Sequence, residues 1–172
     1  MRKSIYRVFC GLCLLSITIN AWGFQNEPDG FRGIKWGTKL KDIKQLVFFM
    51  SINDKDTAYT KSNDDMSIAE LPAKDIYYCF FDNVFYGTQI RVSGYDRFTL
   101  LKGLLEAKYG TPQNRNDISN TYFWKGNVSE VYYTFSLNDL EGFLFIQNKN
   151  GKEERADYFK TKTMEEKAKK GF

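Results

Sequence analysis

An α+β domain built on one mainly antiparallel sheet is the fold that three observations predict. Short apolar-alternating runs come in hairpin-spaced pairs, most clearly Ile76 to Phe81 and Val84 to Val92 about Asp82-Asn83. These runs are grouped between segments of helical periodicity and do not alternate with them one for one, which argues against a parallel sheet. Aromatic residues make up 17% of the chain, enough to fill a core that has no cross-link to rely on. The predicted arrangement is a hairpin plus a three-stranded meander, two packed helices on one face, and a charged C-terminal helix.

The first residues read as an address. Arg2, Lys3 and Arg7 precede an apolar run from Val8 to Ile19, the pattern of a secretory signal peptide. That run is well short of the ~20 residues a spanning helix needs. Ala21-Trp22-Gly23 offers small residues at both recognition positions, which places cleavage after Gly23. Cys10 and Cys13 lack the small preceding residues of a lipid-attachment site. The competing reading keeps residues 1–23 as an uncleaved anchor. The expectation is an exported protein, periplasmic or secreted, with no membrane span after cleavage. The remaining chain divides into an α+β domain over 24–150 and a charged helix over 151–172.

Charge follows from that division. The whole chain carries 25 Lys and Arg against 21 Asp and Glu. Without the three basic residues of the leader the balance is 22 to 21, a net of +1. No general attraction to nucleic acid follows from so even a balance. Beyond Gly23 only Cys79 remains, so no intrachain disulfide is possible, and its apolar setting reads as a small buried hydrophobe.

Phe24 to Asp29 reads as a loose polar leader. Phe31 to Trp36 reads as a short strand that turns at Gly37, where glycine permits an unusual backbone angle. Thr38 then suits a helix N-cap, and Leu40, Ile43, Leu46 and Val47 recur at helical spacing. Gly37→Val is expected to unfold the domain and Lys39→Ala to leave it intact. Ser51 to Ser67, crowded with Asp, Asn and Ser, reads as a mobile polar loop, with short strands possible at Thr57 to Thr60 and Met66 to Leu71. After the hairpin, Arg97 to Tyr109 is the clearest helix. Asp96 is its predicted N-cap, Phe98, Leu101, Leu104 and Leu105 form its stripe, and Gly110 with Pro112 ends it. Asn120 to Lys125, Val128 to Ser136 and Phe143 to Gln147 form the meander. Lys152 to Lys170 is a charge-dense helix with a thin stripe of Ala156, Phe159 and Met164.

The chain has no histidine, which removes His-based triads and zinc sites. No cofactor or metal is expected. Asp54, Asp56, Asp64 and Asp65 are acidic clusters in the polar loop, and Glu153, Glu154, Glu165 and Glu166 lie on the terminal helix. A carboxylate- or lysine-based hydrolase would need several of them to converge in a cleft. Asp54-x-Asp56 lacks the oxygen series and glycine of a calcium loop. Gly33-x-x-x-Gly37-Thr38-Lys39 has the wrong spacing and order for a phosphate loop.

Phe31-x-Gly-Ile-x-Trp-Gly-Thr38, Tyr78-x-Phe80-Phe-Asp-Asn-x-x-Tyr-Gly87, Leu101 to Tyr109-Gly-Thr-Pro112 and Tyr122-x-Trp124 together resemble a family of small exported bacterial proteins of uncharacterised function. The resemblance implies a signal peptide, one α+β domain and a charged C-terminal helix, and carries no activity or catalytic residue. A non-enzymatic binding or assembly module of the cell envelope is therefore the leading expectation, acting through an aromatic sheet face or edge. Tyr77, Phe81 and Phe85 are its candidate binding residues, because they exceed what one core face requires. The partner would be an envelope protein or polymer, not nucleic acid, and the protein itself a monomer. A peptidoglycan or polysaccharide binder is the alternative, for which Trp36 or Trp124 would lie flat in an open groove.

Overall fold

A computed structural model describes residues 24–169. Residues 1–23, where the signal peptide is expected, and residues 170–172 lie outside the described residues. In chain order come β1 (Gly30–Phe31) and β2 (Ile34–Lys35), then β3 (Leu46–Ser51) and β4 (Asp56–Lys61). A small hairpin of β5 (Ser67–Ile68) and β6 (Leu71–Pro72) precedes β7 (Asp75–Phe81), β8 (Val84–Ser93) and α1 (Tyr95–Tyr109). The second half holds β9 (Asn114–Asn116), β10 (Thr121–Lys125), β11 (Ser129–Ser136), β12 (Glu141–Asn148) and α2 (Lys149–Lys169).

The fold is α+β around one eight-stranded sheet, ordered β3-β4-β7-β8-β12-β11-β10-β9, with every pairing antiparallel. Each half of the chain supplies four strands and then a helix. The halves join where β8 pairs with β12, Gly87 opposite Gln147 through to Ser93 opposite Glu141.

Helix α1 covers the core face. Phe98, Leu101, Leu105 and Tyr109 are buried, and Phe98 stacks on Tyr133 with ring centroids 4.6 Å apart. Gly142 in β12 lets the helix come this close, since a Cβ there would sit 2.8 Å from Val92 and 3.0 Å from Phe98. Burying one such ring stabilises by roughly 1.5–3 kcal/mol. The helix begins two residues earlier than expected, at Tyr95, with Gly94 in the N-cap position and Asp96 in the first turn. There its carboxylate suits the positive helix end. At the other end Gly110 has φ +80 and donates its N–H to Glu106.

Three expectations fail for stated reasons. The helix expected from Thr38 does not form. Only Leu40–Asp42 makes a 3-10 turn, and Leu46 and Val47 belong to β3. One helix, not two, therefore lies on the core face. Long-range pairing won over local periodicity: Gly37 donates to Phe85 and Phe85 to Thr38, both at 2.9 Å, which holds this segment extended along β8. The stretch expected as a mobile polar loop carries β4, which contains the short strand allowed at Thr57 to Thr60, and Asp56 at its start is fully buried. The loose leader is a strap. Phe24 meets Tyr109 edge-on at 5.1 Å, Gln25 donates to the Tyr109 carbonyl, and Glu27 accepts from the Val128 and Ser129 amides at 2.6 Å.

Helix α2 lies on the opposite face of the sheet. Gly151 passes so close over Tyr86 that a Cβ would come within 2.4 Å of the Tyr86 Cβ. Arg155 then pairs with the buried Asp56, which also accepts from the Tyr86 hydroxyl at 3.2 Å. Tyr158 packs edge-on against Phe81 at 5.6 Å. Among the described residues no helix is long and apolar enough to cross a membrane.

Candidate functional site

Tyr77, Phe81 and Phe85 do not form an exposed patch: they are 9%, 8% and 0% exposed. Their fates differ. Strict alternation would put Phe85 on the same side as Tyr77 and Phe81, but the β7–β8 register shifts between Cys79 and Phe80. Phe85 is thereby turned to the core face opposite Phe80, with ring centroids 5.5 Å apart. Trp36 covers it from outside at 5.1 Å. Phe81 lies beneath Tyr158 of α2. Tyr77 is shielded by Phe49 at 4.6 Å and by the Arg91 guanidinium at 5.8 Å.

The other candidate groups are engaged in the fold. Asp64 is bound by Arg32 and by the Tyr78 hydroxyl. Asp56 is held by Arg155, and Asp54 by Tyr158 and Lys162. The hydrogen bond from Tyr158 is the main reason the Asp54 carboxyl titrates below its ordinary range. Asp54, Asp56 and Asp64 are thus dispersed over separate partners. Cys79 keeps some accessible surface, yet burial, with Asp56 nearby, pushes its thiol up to about 12. A thiol held protonated in this way is a poor nucleophile. Trp124 is fully buried, and the Trp36 indole N–H donates to the Pro28 carbonyl and the Ser129 hydroxyl, each at 3.0 Å. Neither ring lies flat in an open groove. A cleft of ≈ 470 Å³ between α1 and the β5–β6 hairpin has an apolar floor including Phe31, Leu101 and Ile146. Its rim mixes Arg32 and Lys108 with Asp65 and Glu70, so it favours neither sign of ligand.

Among the described residues, the apolar feature without a partner is β3. It is an edge strand, paired with β4 on one side only. Its sequence Leu-Val-Phe-Phe-Met-Ser has no charge, and none occurs from Gln45 to Asn53. Val47, Phe48, Phe49, Met50 and the following Ile52 are 50%, 57%, 50%, 45% and 51% exposed. The register shift between Phe48 and Met50 makes Phe49 the extra residue of a bulge. Phe48 leans edge-on against Tyr59 at 5.7 Å on the core side, while Phe49 covers Tyr77 on the other. Both faces of the strand are therefore apolar. Beyond Tyr77 the open face continues by register through Gln89 and Phe145 to Tyr132, which is 36% exposed.

The two ends of the sheet differ sharply. The far edge, β9, is three residues of Asn-Arg-Asn, all exposed, the short polar build that blunts an edge. Strand β3 has no such protection and presents a row of unpaired backbone groups, which is a template for another strand. A signal for it was present in the chain. The unbroken run Leu46 to Met50 is rich in β-branched and aromatic residues and fits a strand better than a helix stripe. No family model, curated protein or solved structure matches the chain, so its function is argued from this geometry alone.

Proposed function

We propose that this protein is a non-enzymatic binding or assembly module, exported to the cell envelope, that acts by adding a strand to the β3 edge. The observation that carries the reading is a six-residue, charge-free edge strand with its large side chains about half exposed. An extended segment docking there would satisfy the free amides and carbonyls of β3 and cover Val47, Phe48 and Phe49 together. Main-chain hydrogen bonds supply affinity in such a mode, and alternate side chains supply selectivity. A patch of this character on a soluble domain marks an interaction site.

The test is hydrogen exchange at the amides of Leu46–Ser51, measured alone and after incubation with an envelope extract. Wild-type protein and Phe48→Lys are run side by side. Slowed exchange in β3, together with loss of the captured partner in Phe48→Lys, is the expected result. Partners recovered equally by both proteins, with β3 amides still fast, would show that the edge is not the site.

A further inference from the structure

We infer that the strand accepted at the β3 edge is that of a second copy, the two β3 strands pairing antiparallel across a two-fold axis into one continuous sheet. This rests on the edge reading above and names its partner. Three observations point to it.

First, a mate for β3 must be an extended, uncharged strand that is apolar on both faces, and β3 itself meets that description. Antiparallel pairing of a strand with its own copy is the arrangement that a two-fold axis generates. Second, the opposite edge is the short polar β9, so head-to-tail growth of β3 onto β9 finds no receptive surface. Association closes at two copies and does not run on as a fibre.

Third, α2 is placed to complete such a contact. It passes over β8 at Gly151, reaches β4 where Arg155 meets Asp56, and meets the β3–β4 turn where Lys162 lies 3.7 Å from Asp54. The helix therefore runs from the middle of the sheet towards the β3 edge. Thr163–Lys169 continues beyond that last contact, exposed throughout, for roughly 10 Å at the helical rise. The stripe carrying Arg155, Tyr158 and Lys162 continues at the same spacing to Glu165 and Glu166 and ends on Lys169. Because α2 reaches the C-terminal end of its own β3, an antiparallel mate brings there the N-terminal end of its β3, with Lys44, and the end of its β4, with Lys61. Glu165 and Glu166, the acids of an overhang that also carries Lys167 and Lys169, are then placed towards Lys44 and Lys61 of the second copy. A contact made of one strand edge and one helix tip falls in the small class of interfaces, which associate weakly and reversibly.

Sedimentation velocity of the purified protein over a wide concentration series tests this. Alongside it run Phe48→Lys and Met50→Lys, each checked for a native circular dichroism spectrum. The expected result is a mass that rises from one chain to two with concentration and stays at one chain in both edge variants. Reversing charge with Glu165→Lys and Glu166→Lys is expected to weaken the dimer several-fold. Adding Lys44→Glu and Lys61→Glu to that variant is expected to restore it. A single-chain mass at every concentration would overturn the proposal. If that monomer still captured a partner through β3, the edge reading would survive without the second copy, and if it captured none both would fall. A dimer that persists in both natively folded edge variants would also overturn it, by placing the interface elsewhere.

Discussion

Single side chains set the most direct tests. Glu27 ties the N-terminal strap to the β10–β11 turn. Desolvation pushes its carboxyl up, but the backbone amides of Ser129 and Val128 outweigh this and hold it below its ordinary value of 4.5. The stabilisation is therefore full above that value and is lost as pH falls through the lowered folded-state value. Denaturant midpoints measured from pH 7 down to pH 3 should decline less steeply for Glu27→Gln than for the wild type. Asp56 makes a harsher demand, being fully buried with Arg155 as its charge partner. Arg155→Met leaves that carboxylate uncompensated, and because the arginine is a third exposed water moderates the loss to about 2–3 kcal/mol. Adding Asp56→Asn should recover most of it, which urea titration of the double variant reads. Gly37 is the residue where the structure tempers the earlier expectation. Its φ is +83, but a Cβ there would meet nothing within 4 Å. Gly37→Val therefore brings backbone strain without a clash, on the order of 2 kcal/mol, and the variant should melt lower and still fold.

At the scale of elements, the informative comparison is between α1 and the segment before β3. Helix α1 was legible because its apolar stripe and its Gly110-x-Pro112 stop agree, and all of these are local. The segment from Thr38 to Val47 carried a similar stripe and became a turn and a strand, because its hydrogen bonds go to Asn83 and Phe85 and its register to β4. Helix α2 was legible as a charged helix, but its docking was not, since it depends on one glycine and one buried ion pair. Gly151→Ala should push α2 off Tyr86, at about 1–3 kcal/mol for the overpacking. A thermal melt of this variant, with hydrogen exchange on α2, would show the helix loosening ahead of the sheet. If α2 exchange is unchanged, the close approach at Tyr86 is not what seats it.

For the molecule as a whole, α1 covers the core face of the sheet, α2 crosses part of the other face, and one flank is left open. Removing α2 after Asn148 should uncover Phe81, Tyr86 and Cys79 without touching the α1 core. Alkylation of Cys79 by iodoacetamide at neutral pH should then become measurable in the truncated chain while the intact chain stays unreactive. The candidate site shows where reading the chain stopped. Tyr77, Phe81 and Phe85 were singled out as an aromatic surplus, and the surplus is real, but a bulge turned Phe85 inward and α2 and Phe49 covered the other two. By itself the sequence determined the α+β class, the β7–β8 hairpin, the second-half meander and the C-terminal end of α1, all matters of short-range periodicity and turn chemistry. Only the tertiary structure decided that the strand at Leu46 to Ser51 ends the sheet and that its apolar side chains remain uncovered among the described residues. The physical reason is that an edge is defined by the absence of a neighbour: β4, next in the chain, pairs with one side of β3, and whether any later strand comes to lie on its other side is settled only when the whole sheet assembles.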